Sequence, residues 1–152
     1  MTKRKKIATT FVSGLSAITK AGGYKTNFPA VKHWKTNLIP KENEITVIVR
    51  DTSNNSTDSQ ENVSEKLNIE VLFGCCKVDE NYDIIDVMID DIKKWYDSNK
   101  KQLEVTLNLV GIRYVNDELA VDQLEKEVGA GKVLFEVETG QHCNWNYDDT
   151  NY

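Results

Sequence analysis

Between residues 65 and 76 every second position is apolar: Leu67, Ile69, Val71, Phe73 and Cys75 fall on one side of an extended chain, because strand side chains alternate faces. That pattern predicts a half-buried β-strand. The period changes over residues 79–96, where Ile85, Met88, Ile89, Ile92 and Tyr96 recur at helical spacing. A long amphipathic helix is therefore expected directly after the strand. Asp79 is placed to cap it, Glu80 and Asp83 to lie in its first turn, and Lys93 and Lys94 near its end, where the helix dipole favours cations.

The remaining segments are read against this pair. Ile7, Phe11, Leu15 and Ile18 mark one face of a first helix that follows a basic arm (residues 1–6) and stops near Gly22 and Gly23. Residues 30–35 form a weakly patterned strand, and residues 44–50 a clearer one with Ile45, Val47 and Val49 on one face. Residues 51–64 contain one apolar side chain, Val63, and read as a long polar loop. After a break at residues 98–101, residues 103–114 read as a strand with Val105, Leu107 and Leu109 on one face and Gly111 as a bulge. Residues 116–131 read as a polar excursion with one or two helical turns, residues 132–139 as the last strand, and residues 140–152 as an unpatterned C-terminal arm. The expected fold is α+β: a mainly antiparallel sheet of four or five strands with two helices on one face, in a single domain over residues 1–139.

Composition changes this picture in two ways. With 39% hydrophobic and 28% charged residues in 152, the chain can bury a core of its own. Without an apolar run or a leader pattern it is expected in the cytosol and not in a membrane. Its charge is also polarised: residues 1–41 hold nine Lys or Arg and no acid, and the remainder holds 24 acids against ten bases, net −14 on a total of −5. Such asymmetry fits a nucleic-acid arm or two complementary surfaces.

Candidate chemistry is thin. Three cysteines, two of them the adjacent Cys75 and Cys76, do not make a disulfide framework. Residues 129–132 (Gly-Ala-Gly-Lys) lack the Gly and the Ser or Thr that a phosphate loop needs. His142, Cys143, Cys75 and Cys76 lack zinc-ligand spacing. Asp83, Asp86 and Asp90 share a helix face, as a cation site or a solvated face would. Lys3, Arg4, Lys5 and Lys6 could neutralise phosphates, but no base-reading module accompanies them. No catalytic, cofactor or metal residues are singled out. Lys3 to Lys6 and the three aspartates are candidates for a subunit interface, in which the basic third of one copy meets the acidic remainder of another.

The order of elements, with Gly22-Gly23-Tyr24-Lys25-Thr26-Asn27 after the first helix, Arg50-Asp51 closing a strand, and the textures Leu67-Asn68-Ile69-Glu70-Val71 and Leu107-Asn108-Leu109-Val110-Gly111-Ile112, resembles the tail terminator proteins of long-tailed bacteriophages. The likeness covers residues 5–139. It implies a structural virion protein and not an enzyme: a homo-hexameric ring that caps the tail tube, stops its polymerisation and offers a surface for head attachment. The implied partners are the tail tube protein, a head-completion or neck protein, and genomic DNA passing through the channel without specific binding. Made in the host cytoplasm, it would end at the head-proximal end of the tail. By the same resemblance, residues 51–64, with Asn54 and Asn55, would contact the tube or line the channel. Trp145 and Tyr147 of the C-terminal arm are further candidate contacts. Another head-tail joining protein is the nearest alternative, and a cytosolic enzyme or nucleic-acid binder the alternative of a different class.

Overall fold

A computed structural model describes residues 2–33, 44–53, 57–59, 62–76, 81–122 and 128–141. Along the chain come α1 (Lys3–Ser16), a 3-10 turn (Lys20–Gly22), β1 (Lys32–His33), β2 (Glu44–Ser53), β3 (Thr57–Ser59), β4 (Asn62–Cys76), α2 (Asn81–Thr106), β5 (Gly111–Asp122) and β6 (Val128–Gln141). The sheet runs β1-β2-β4-β6-β5, with β3 also paired to β4. β1 lies parallel to β2 and every other pairing is antiparallel. The chain is thus α+β with a mixed, mostly antiparallel sheet.

The alternating strand and the helix after it behave as their periods require. Leu67, Ile69, Val71, Phe73 and Cys75 are all buried, as are Ile85, Met88, Ile89, Ile92 and Tyr96. Strand partners extend the buried face sideways: Val47 lies opposite Phe73, Val49 opposite Val71, and Val71 opposite Val133. At its centre stands Phe135, fully buried, whose ring meets Phe11 of α1 at 5.4 Å and Tyr96 of α2 at 5.2 Å. A strand residue points to one face only, so both helices cover the same side of the sheet.

Several expectations are corrected. The basic arm is not an arm, since α1 begins at Lys3, with the Thr2 side chain accepting from the Lys5 amide. Residues 98–101 do not break α2, which runs to Thr106 and leaves Lys93 and Lys94 mid-helix. Leu103 and Leu107, four apart, continue the apolar stripe of α2 and are buried, whereas Val105 is 81% exposed; the apparent alternation was two helical positions with an outward one between them. Asn108, at φ 52°, ends the helix. Its amide donates to Val105 and that of Leu109 to Glu104, a Schellman closure.

Gly111 consequently starts β5, and the bulge falls between Tyr114 and Asn116. Residues 116–122 pair with β6 throughout and are strand, not helical turns. The polar residues 51–64 are mostly strand as well: β2 runs to Ser53, β3 occupies Thr57–Ser59 and β4 starts at Asn62. Gly140 and Gln141 pair with Glu65 and Ser64, so the last strand outruns its expected end at Thr139. The reason is common to these cases. Ladder hydrogen bonds form between backbones whatever the side chains are, so polar strand residues leave no hydrophobic signature.

Two glycines mark close approaches. A Cβ on Gly131 would stand 2.6 Å from Ile85 Cγ2, so the Gly-rich start of β6 gives α2 room to lie against the sheet. A Cβ on Gly14 would stand 2.5 Å from Trp95 Cζ2, with the indole itself buried. Gly14→Val is expected to lower stability by about 1–3 kcal/mol, the range for overpacking, as read from the urea midpoint. A stability equal to wild type would show that the α1–α2 contact is loose.

Candidate interaction surfaces

Four cations open α1 and no acid accompanies them in its first turn, although the positive end of a helix dipole disfavours each cation there by roughly 0.3–1 kcal/mol. Two of the four are engaged within the subunit. Lys3 is buried and its ammonium donates to the Asn108 carbonyl at 2.9 Å, just past the end of α2. Arg4 reaches Asp51, Nε to Oδ2 at 2.5 Å, and donates through Nη2 to the Asp51 carbonyl at 3.1 Å. Lys5 is exposed and Lys6 half-buried.

Asp51 lies on the buried side of β2, two residues beyond Val49, at 7% exposure. His33 Nε2 approaches its other oxygen at 2.6 Å. Burial alone pushes the Asp51 carboxyl up. Hydrogen bonds from Arg4 and His33, and the charge of Arg4, outweigh it and hold the group below its usual range. The cluster joins α1, β1 and β2 and occupies both carboxylate oxygens. Sequence reading passed over it because its members lie 47 and 18 residues apart.

Asp83, Asp86 and Asp90 are all exposed, as the solvated-face reading of that stripe requires, and Asp90 stands 4.0 Å from Lys25. Asp91 is the opposite case: 2% exposed, it accepts from the amides of Lys25 and Thr26 and from the Thr26 hydroxyl. A signal was present, since Asp91 follows Met88 by three and precedes Trp95 by four, on the apolar stripe. Lys94 helps by donating to the Gly23 carbonyl at 2.6 Å and lying over the Tyr24 ring. On the edge strand, Asp117 accepts from the Tyr114 hydroxyl and pairs with Lys93 at 3.2 Å, pinning β5 to α2.

The sheet face opposite the helices carries charges of alternating sign. Arg50 pairs with Glu70, and Glu136 takes Lys66 at 3.9 Å and Arg113 at 3.3 Å. Past the last core row at Leu67 and Val137, β4 continues through residues 62–66, roughly 16 Å of strand, with β6 on one side and β3 near its end.

The helix layer is electrically polar. Gly14 faces Trp95 and Lys3 reaches Asn108, so the helices are antiparallel. The cationic start of α1 therefore lies beside the end of α2, near Lys100 and Lys101, while Asp83, Asp86 and Asp90 occupy the other end. Beside that acidic end an open groove of about 530 Å³ runs between Phe28 and Pro29, Ile45 of β2, and Ile84 and Met88 of α2, with Glu44 at its rim. Asn54, Asn55, Trp145 and Tyr147 lie outside the described residues, as do Asp79 and Glu80.

Among the described residues no three His, Cys, Asp or Glu side chains are grouped to hold a metal ion, and no helix is long and apolar enough to cross a membrane. No protein-family model matches the chain and no curated protein sequence matches it.

Proposed function

We propose that this protein is a structural subunit of a phage-type virion, a tail terminator that assembles into a hexameric ring on the tail tube, halts its growth and presents a surface to the head or neck. The observation that carries the reading is the separation of charge along the helix layer: four cations begin α1 against its own dipole, and three exposed aspartates stand at the far end of α2. Lys3 and Arg4 also serve the subunit itself, and a head-to-tail neighbour would place the exposed charges of opposite sign together in a contact that repeats until it closes. The β-ribbon that runs past Leu67 and Val137 supports the same reading, as an extension of the sheet that offers a neighbour a surface. So does the resemblance in element order to tail terminators. This reading needs no reaction, and it is supported by the engagement of the buried carboxylates Asp51, Glu70 and Asp91 with other segments.

Native mass measurement tests the assembly. The expected result is a hexamer at low ionic strength that dissociates as salt rises, since exposed charge pairs are screened over about 10 Å at 0.1 M. A monomer at every concentration and salt overturns the proposal. Imaging tails assembled without the protein tests the role. Overlong tubes are expected of a missing terminator, whereas normal-length tubes without heads would instead identify a joining protein.

A further inference from the structure

Among the described residues two large apolar side chains stand exposed, Val105 at 81% and Val110 at 61%. They bracket the same turn: Val105 is on the last turn of α2, and the Val110 amide anchors the start of β5 by donating to the Glu138 carbonyl. The Schellman closure at Asn108 fixes that turn, and Lys3 locks it from below by donating to the Asn108 carbonyl. The pair is thus a rigid apolar knob. Among the described residues its surroundings carry the cations Lys5 and Lys6 on α1 and Lys100 and Lys101 on α2, with the acids Glu104 on α2 and Glu138 on β6.

The groove at the far end of α2 has the inverse composition. Its floor is apolar, from Phe28, Pro29, Ile45, Ile84 and Met88, with Ile45 and Ile84 still partly exposed. Glu44 lines its rim, and Asp83 and Asp86 stand exposed on the same two turns of α2 as Ile84 and Met88. Lys25, the nearby cation, is drawn to Asp90. Ile84 and Val105 are 21 residues apart on one helix, about 30 Å at the helical rise, too far for the knob to reach the groove of its own subunit.

We infer that the knob of one copy, Val105 with Val110, enters the groove of the next, seating on Ile45 and Ile84 while Lys100 and Lys101 meet Glu44, Asp83 and Asp86. The contact joins different patches of identical chains, so it is heterologous and propagates head to tail. Apolar complementarity supplies the central contact and the charges orient it. This names the partner surface of the ring reading and rests on it.

Mixing two variants tests it. Val105→Glu spoils the knob and leaves the groove; Ile45→Glu spoils the groove and leaves the knob. Each alone is expected to raise the dissociation constant at least about tenfold, as loss of a central contact does, and to be monomeric where wild type is assembled. Mixed in equal amounts they should give a 1:1 dimer and nothing larger, because only one good knob and one good groove can meet. A Val105→Glu protein that assembles like wild type, or a mixture that stays monomeric with both variants folded, overturns this contact while leaving the ring itself standing. A wild type that never assembles overturns both. Since Ile45 is partly buried and its variant could fail to fold, a photo-crosslinking residue at position 105 gives an independent reading. Crosslinks to residues 84–88 of a second copy support the contact, and crosslinks elsewhere overturn it.

Discussion

Phe135→Ala is expected to lower stability by about 3–5 kcal/mol, the range for removing a buried aromatic ring. Phe135 is the point at which all parts of the core meet: its ring lies 5.4 Å from Phe11, 5.2 Å from Tyr96 and 5.6 Å from Tyr114. Those partners come from α1, α2 and β5, and the Phe135 backbone pairs with Ile69 of β4. No single neighbour can collapse into the space without leaving another, so most of the cavity cost is retained. Against a total stability of about 5–15 kcal/mol, such a loss leaves the variant close to unfolding at physiological temperature. Urea denaturation checks it. The midpoint should fall with the slope unchanged, while Val105→Ala, at an 81% exposed position, should stay within about 0.5 kcal/mol of wild type. A loss below about 1 kcal/mol for Phe135→Ala would show that the two helices do not meet over this residue.

Asp51→Asn is expected to cost about 1.5–3 kcal/mol at neutral pH, the range for a hydrogen bond to a charged group and less than breaking a fully buried charge pair, because Arg4 keeps 35% of its side chain in solvent. The pH dependence has a definite sign. The Asp51 carboxyl is held below its ordinary value by Arg4 and His33 in spite of burial. A depressed carboxyl contributes stability that is fully present above its unfolded pKa, near 4, and is lost as pH falls through the lower folded value. Wild-type stability should therefore decline as acid is added below about pH 4, and that limb should be shallower in Asp51→Asn. Melting temperatures of both proteins from pH 2 to 7 measure it. Parallel curves would mean that Asp51 contributes no pH-dependent stability. Combining Asp51→Asn with Arg4→Met isolates the pair, since the double variant should lose less than the two single losses together.

The two predictions rest on residues of different legibility. Phe135 could be read from its strand pattern, lying between Val133 and Val137 at alternate positions, all three buried. Asp51 could not. A polar residue at the end of a β-branched run looks like the start of a loop, and nothing local distinguishes it from the exposed aspartates of α2. Its role follows from Arg4 and His33, which the fold brings from elsewhere in the chain. Val105 errs in the other direction: its two-residue spacing from Leu103 and Leu107 imitates a strand, and the continued stripe of α2 turns it outward.

The amino-acid sequence by itself determined the core and its two periods: which side of β4 is buried, which stripe of α2 and α1 faces the sheet, and therefore the α+β class. Burial of apolar surface depends on residue type and on spacing along the chain, and both are local properties. Only the tertiary structure decided where polar strands continue, that α1 lies antiparallel to α2, that Asp51 and Asp91 are buried anchors while Asp83, Asp86 and Asp90 are not, and that an apolar knob and an apolar groove sit at opposite ends of one helix. Backbone ladders and ion pairs join residues far apart in the chain, and their energies depend on distance and burial in three dimensions, which no spacing along the chain encodes.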